Sequence, residues 1–173
     1  MDKEKIFIQT FPTDAIGNLK PPQIEEVLSL HYFSALSIKK QLSPKCSLYL
    51  ITDKRGKEMV NNFPYDKIIT ILDDYPYVKP SKMSDYNLYS MEVFKDEKYI
   101  HLDNNIILFK PIENFKNTIF PSNNLSSEKW LENGYINFSG KLQNNPVLLE
   151  EVLLHLYHHY EEEIDGYIYN TIL

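Results

Sequence analysis

Four short apolar runs, each separated from the next by a helical segment, most constrain what this chain can fold into. The runs are rich in β-branched and aromatic residues, and they stop at polar residues or at prolines, as buried strands do. They are Lys5–Gln9, Ser47–Thr52, Lys67–Leu72 and Lys98–Leu102. Because strand and helix alternate, the pattern predicts a mostly parallel sheet with right-handed crossovers.

Three helices are predicted between these strands. The longest covers Gln23–Gln41, where apolar residues recur at roughly helical spacing, and a shorter one covers about Lys57–Asn62. The third begins at Ser84 or Asp85, which can cap it, and ends near Phe94. With helices on both faces of the sheet, the predicted fold class is a three-layer α/β/α arrangement.

Polar residues stand where three of the predicted strands end: Thr10, Asp53 and Asp103. Ligands of open parallel sheets bind outside the carboxyl ends of the strands. Asp103 begins the polar triplet Asp103-Asn104-Asn105 between two apolar runs, and a carboxylate in that place can hold a hard divalent cation. The alternative for Asp103 is a turn residue bonded to its own backbone, and asparagines such as Asn105 also populate turns.

Length and charge limit the classes of partner. The chain has 173 residues, which favours one domain. Its net charge is −6 and its lysines are scattered, which argues against nucleic acid as a partner. A divalent cation would let such a surface accept an anionic nucleotide.

The remaining compositional features bear on location and assembly. Cys46 is the only cysteine, no signal peptide is recognisable, and no window has the apolar length of a membrane span, so we expect a cytoplasmic protein without a transmembrane segment. The apolar end at Ile172-Leu173 suggests packing onto the domain itself, or else a protein partner or a homo-oligomer formed through the C-terminal region. A helix is predicted over about Pro146 to Tyr160; its histidines 155 and 159 have metal-ligand spacing, but an amphipathic helix end is the favoured interpretation.

Several segments, in the same order, resemble GT-A glycosyltransferases, and in particular a bacterial family of such enzymes. Tyr99–Pro111, which contains the triplet, looks like the Asp-x-Asp segment of that fold. The other similar segments are Leu50–Lys57 with Phe63–Asp66 (second strand and turn), His31–Ser37 (first long helix), Lys82, Tyr86 and Tyr89 (the helix before the motif) and, more loosely, Gly134–Gly140 (acceptor side). Apart from this last segment, the resemblance spans roughly Lys5–Ile112.

The resemblance implies a nucleotide-sugar donor as substrate and Mn²⁺ or Mg²⁺ as cofactor. It also implies a truncated GT-A-like fold in a single domain, with a nucleotide-binding part at 1–112 and a short acceptor-side and C-terminal part at 113–173. Asp103 takes the position that contacts the nucleotide ribose or the metal and is the candidate catalytic residue, while Asn105 stands where the family has its metal-binding aspartate. The remaining donor-binding candidates are Thr10 and Phe11 at the base, with Phe11 or a nearby tyrosine stacking on it, Lys82 at a phosphate, Asn104, and Asp53, which meets the base or instead caps the next helix.

Two departures from the family pattern bear on activity. Asn105 brings no charge to a cation, and little chain remains for an acceptor region or for a further metal ligand. We therefore expect a hexosyltransferase that moves a sugar from a nucleotide diphosphate to a glycan or lipid-linked acceptor, and keep as the alternative a catalytically inactive GT-A-like module that binds a protein partner or a glycan. A nucleotidyltransferase is disfavoured, because no glycine-rich phosphate loop follows the first strand.

Overall fold

The computed structural model describes residues 5–75, 83–97, 99–111 and 135–137. The chain divides into two compact units, Met1–Asn117 and Thr118–Leu173. The boundary lies close to the predicted division after Ile112. That the two units form a single domain stays a prediction.

The first unit follows the predicted alternation of strands and helices. Two short 3₁₀ turns, Thr13–Ile16 and Leu72–Asp74, follow the first and third strands. The regular elements are β1 (Lys5–Phe11), α1 (Pro21–Gln41), β2 (Cys46–Thr52), α2 (Lys54–Met59), β3 (Lys67–Ile69), α3 (Met83–Val93), β4 (Tyr99–His101) and β5 (Ile106–Leu108). In the second unit the described residues form one strand, β6 (Tyr135–Asn137).

The two largest differences from the bounds expected from sequence concern α2 and β3. Helix α2 begins at Lys54 rather than near Lys57, because the side chain of Asp53 caps its first turn. Strand β3 ends at Ile69 rather than Leu72, because the chain turns into the 3₁₀ segment. Neither difference changes the order of the elements.

Four strands of the first unit form a parallel sheet in the order β3-β2-β1-β4. Gln9 of β1 is level with Leu50 of β2, and Ile8 is level with His101 of β4. The predicted parallel sheet is therefore confirmed. Because all four strands run the same way, the segments that follow β1, β2 and β4 leave the sheet at one edge.

Neighbouring residues of β1 show that helices cover both faces of this sheet. Successive side chains of a strand point to opposite faces. The side chain of Gln9 bonds to Ser34 of α1, whereas that of Thr10 bonds to Ser90 of α3. Helices α1 and α3 therefore lie on opposite faces, and the predicted α/β class with flanking helices is confirmed.

Each face of the sheet has its own core. On the α3 side, Ile8, Ile51, Leu72, Tyr86 and Phe94 form one buried apolar cluster. On the other side, α1 is buried without interruption from His31 to Ile38. Helix α1 packs against both β2 and β5, so its second half lies between the sheet and the β5 segment. Polar residues of α1 that are buried there need hydrogen-bond partners inside the protein.

Several predicted features lie outside the described residues. They include Lys82, the helix over Pro146–Tyr160 with its histidines, and Ile172-Leu173. In the described part of the chain, no helix combines the length and the apolar character needed to cross a bilayer.

Candidate functional site

Asp103 lies just beyond β4, at the carboxyl edge of the parallel sheet, and its side chain is exposed. Among the described residues, none donates a hydrogen bond to its carboxylate. The structure therefore leaves this charge available to a ligand at the edge where the sequence predicts one.

The backbone around Asp103 is held in place, although no described residue bonds to its carboxylate. Leu102 donates its N–H to the carbonyl of Ile8 at 2.8 Å, which extends the pairing of β4 with β1. The Nε2 of Gln9 donates to the carbonyl of Asp103 at 3.1 Å, and the Nδ2 of Asn104 donates to the carbonyl of Thr10 in a longer contact of 3.4 Å. The loop is thus anchored to the carboxyl end of β1.

Strand β5, which follows the loop, is tied to α1. The hydroxyl of Ser34 donates to the carbonyl of Ile106 at 2.6 Å, and Leu108 donates its N–H to the hydroxyl of Ser37 at 3.0 Å. Both serines are fully buried. Their spacing of three residues places them on the same face of α1, where they receive the segment that leaves the loop.

Asn105 has a buried amide oxygen that finds no hydrogen-bond partner in the described part of the chain. An unsatisfied buried acceptor costs roughly 1–3 kcal/mol, so native structures rarely keep one without a reason. An oxygen of this kind suits a hard cation, which prefers oxygen ligands. Asn105 is also the residue that stands, by the resemblance to GT-A glycosyltransferases, where that family has its metal-binding aspartate.

A cation held jointly by Asp103 and Asn105 stays a prediction, and such an ion would have to complete its coordination from a ligand. Within the described ranges, no cluster of three or more histidine, cysteine or acidic side chains could hold a metal ion. Mg²⁺ is commonly held by one or two carboxylates together with substrate phosphates and water. Asp103 and Asn105 would hold such an ion, and the phosphates and water would supply its other ligands.

Thr10 and Phe11 lie at the same edge, but their side chains are buried. The hydroxyl of Thr10 contacts the hydroxyl of Ser90 at 3.1 Å and the Nε2 of His101 at 3.0 Å. The ring of Phe11 is 2% exposed and packs on His31 with ring centroids 4.8 Å apart. Stacking of Phe11 on a nucleotide base stays a prediction, and it would require the ring to leave this core.

His101 lies on β4 two residues before Asp103. Its burial lowers the pKa of the imidazole, while the nearby carboxylate of Asp103 acts in the opposite direction and raises it. The ring is therefore neutral near pH 7. Since the hydroxyl of Thr10 gives its proton to Ser90, the neutral ring donates its Nε2–H to Thr10.

Asp53 caps α2, and its second oxygen ties down the loop after β1. Its Oδ1 accepts the N–H of Gly56 at 2.7 Å. Its Oδ2 accepts the N–H and the hydroxyl of Thr13 at 2.8 and 2.9 Å. The capping role considered from sequence is thus present, and a nucleotide at Asp53 would compete with these three bonds.

The structure adds a contact that the sequence does not predict. Asp14, exposed in the turn after β1, accepts a hydrogen bond at 3.0 Å from the hydroxyl of Tyr86. Tyr86 packs against Tyr75, and burial is the main reason that its pKa is raised. Nothing local marks this pair, because Asp14 and Tyr86 belong to separate elements.

Asp103, Asn104, Thr10 and Asp53 do meet at one edge, as predicted.

Comparisons with known proteins leave the family open. No protein-family model matches the sequence, and no curated protein matches it. Among solved structures, mouse xyloside xylosyltransferase 1 in its apo form aligns with a TM-score of 0.37 and 9% identity, covering 75% of this chain and 49% of that one. This chain thus spans about half the length of that protein. A likeness this distant carries no argument about activity.

Proposed function

We propose that the chain binds a nucleoside diphosphate sugar at the carboxyl edge of the β3-β2-β1-β4 sheet and transfers its hexose to a glycan or lipid-linked acceptor. The observation that carries the proposal is the exposed carboxylate of Asp103 on a loop whose backbone is anchored to β1 and α1. A charged group that needs no reorganisation when its ligand arrives is suited to binding and to electrostatic stabilisation.

The donor's diphosphate must leave with its negative charge neutralised. Asp103 and Asn105 would hold a Mg²⁺ or Mn²⁺ ion, which when bound supplies that neutralisation. Asp103 contributes the charged ligand, and the unpartnered amide oxygen of Asn105 contributes a neutral one. A ligand at this edge would lie beside Thr10 and Asp53, whose side chains are bonded within the protein.

Nucleotide binding tests the proposal directly. We expect calorimetry to detect binding of uridine or guanosine diphosphate, more tightly with Mn²⁺ than without it. Asp103→Ala should weaken Mn²⁺-dependent binding by at least about tenfold, which corresponds to about 1.4 kcal/mol.

Asp96→Ala is the matched control, because Asp96 is an exposed aspartate near the amino end of β4, the strand that Asp103 follows. It should bind like the unchanged protein. Absence of binding to either nucleotide in both conditions would remove the proposal, and equal losses in the two variants would remove the role of Asp103.

A non-catalytic binding module is the second candidate, and the uncharged Asn105 favours it. A site with one carboxylate and one amide holds a cation more weakly than one with two carboxylates. This candidate would be excluded if the protein hydrolyses a sugar nucleotide or transfers its sugar, and if this activity is lost in Asp103→Ala and kept in Asp96→Ala. Binding of nucleotide without any turnover would support it.

A further inference from the structure

Gln9 is an unusual residue for its place in the fold. It lies in the central strand β1 among apolar residues, and its side chain is fully buried. Its Nε2 donates to the hydroxyl oxygen of Ser34 at 2.9 Å and to the carbonyl of Asp103 at 3.1 Å, and its Oε1 accepts from the hydroxyl of Tyr65 at 2.7 Å. An apolar side chain would fill this position without needing partners, so the amide calls for an explanation.

The surroundings allow only one orientation of this amide. The carbonyl of Asp103 can only accept a hydrogen bond, and the hydroxyl of Ser34 already gives its proton to the carbonyl of Ile106. Both groups therefore require a donor, which only the NH₂ side of Gln9 provides. A flipped amide would place its oxygen 3.1 Å from the carbonyl oxygen of Asp103.

The chain of hydrogen bonds continues on the other side of Gln9. The single proton of the Tyr65 hydroxyl goes to Gln9, so in the 2.5 Å contact between Tyr65 and His31 the donor is the Nε2–H of His31. Burial lowers the pKa of His31 to about 3, which keeps the ring neutral and leaves Nδ1 unprotonated. Burial of the hydroxyl raises the pKa of Tyr65, although part of that residue is exposed.

Every bond of the series therefore runs in one direction, from His31 to Tyr65, to Gln9 and to the carbonyl of Asp103. We propose that Gln9 is a positioning residue for Asp103: its amide, oriented by Tyr65 and His31, holds the carbonyl of Asp103 so that the carboxylate faces the ligand. This inference rests on the proposed function, because it assigns Asp103 to the ligand site. Groups that orient a ligand-binding residue commonly change metal affinity by about 10–100-fold when they are removed.

Gln9→Met tests the inference because methionine has a similar length and no hydrogen-bonding amide. Tyr65→Phe keeps the amide and removes only the group that orients it. Ser37→Ala is the control: Ser37 is also fully buried and also bonds backbone groups of α1 and β5, but it does not touch the loop of Asp103. For each variant we would measure Mn²⁺-dependent binding of uridine diphosphate and guanosine diphosphate by calorimetry, and urea unfolding.

We expect Gln9→Met to weaken nucleotide binding at least about tenfold, Tyr65→Phe to weaken it less, and Ser37→Ala to leave it unchanged although it lowers stability. Binding by Gln9→Met equal to that of the unchanged protein would overturn the inference, as would an equal loss in Ser37→Ala. If Gln9→Met does not fold, the comparison of Tyr65→Phe with Ser37→Ala decides in the same way.

Backbone hydrogen exchange separates this inference from the proposed function. Exchange at Asn104 and Asn105 should be faster in Gln9→Met and Tyr65→Phe than in Ser37→Ala, whether or not a nucleotide binds. Faster exchange in a protein that binds no nucleotide would refute the proposed function while keeping the positioning of the loop. If exchange in Gln9→Met and Tyr65→Phe is no faster than in Ser37→Ala, while the original protein binds nucleotide, the positioning role of Gln9 is refuted and the proposed function is kept.

Discussion

Replacing Asp53 should destabilise the protein through two elements at once. Its carboxylate accepts the N–H of Gly56 in the first turn of α2, and it accepts both the N–H and the hydroxyl of Thr13 in the loop after β1. Asp53→Ala removes all three bonds. The residue thus joins the ends of the two central strands, and its loss affects the edge where the candidate site lies.

The size of the effect follows from these bonds. Loss of an N-cap side chain costs about 1 kcal/mol. Hydrogen bonds to a charged group contribute roughly 1.5–3 kcal/mol each, and we take the lower end for the two bonds from Thr13 because Asp53 is only partly buried. Asp53→Ala should therefore lower the free energy of unfolding by about 4 kcal/mol.

Asp53→Asn distinguishes the cap from the loop contact. Its amide oxygen can still accept the N–H of Gly56, but its NH₂ group would then face the N–H of Thr13, so two donors meet. We expect a loss of about 1–2 kcal/mol, intermediate between the unchanged protein and Asp53→Ala.

Urea unfolding followed by circular dichroism measures these differences. Asp73→Asn is a suitable control, because the exposed Asp73 accepts only the N–H of Lys54 among the described contacts, at 3.0 Å. Its unfolding free energy should change by less than about 1 kcal/mol. The reasoning would be refuted if Asp53→Ala changed stability no more than Asp73→Asn does.

Two further predictions concern stability. Gly56→Ala should lower the free energy of unfolding by about 2–4 kcal/mol, because the added Cβ would lie 1.9 Å from the hydroxyl oxygen of the buried Thr52. Urea midpoints against the exposed control Lys57→Ala check this, and a gain in stability, the usual result of Gly→Ala in a helix, would contradict it. The second prediction concerns pH. Burial lowers the pKa of His31 to about 3, while in the unfolded chain this pKa keeps its ordinary value of 6.5. Between these two pH values the unfolded state binds more protons than the folded state, so the free energy of unfolding falls on acidification. Between pH 6.5 and 5, His31 should account for a loss of about 2 kcal/mol in the free energy of unfolding, and this loss should be absent in His31→Gln. If the free energy of unfolding measured in urea falls equally with pH in the two proteins, the prediction is wrong.

Much of the fold was accessible from local sequence patterns. Apolar runs and prolines located the strands of the sheet, and the strand ends located Asp103 and Asp53 at its carboxyl edge. The predicted start of α2 near Lys57 is too late: the sequence offers Asp53 as a possible cap, but apolar periodicity alone does not show that the helix begins directly after it. The same limit applies to β3, whose apolar run continues past the last paired residue into a 3₁₀ turn.

The surroundings of the site residues were less accessible. Thr10 and Phe11 were identified by their position at a strand end, but their side chains are bonded or packed inside the protein. Gln9, Tyr65 and His31 were not identified as partners, although a polar residue inside an apolar strand was a usable signal for Gln9. The metal and nucleotide roles of Asp103 and Asn105 stay predictions.

The sequence by itself determined the order of strands and helices and which residues follow each strand, because hydrophobic periodicity and turn chemistry act between near neighbours in the chain. The tertiary structure decided which polar groups meet: the carbonyl of Asp103 bonds to Gln9, 94 residues earlier in the chain. Such a contact depends on how β1, β4 and α1 pack. No local pattern encodes it, because a buried amide takes whichever partners the completed fold brings within hydrogen-bond distance.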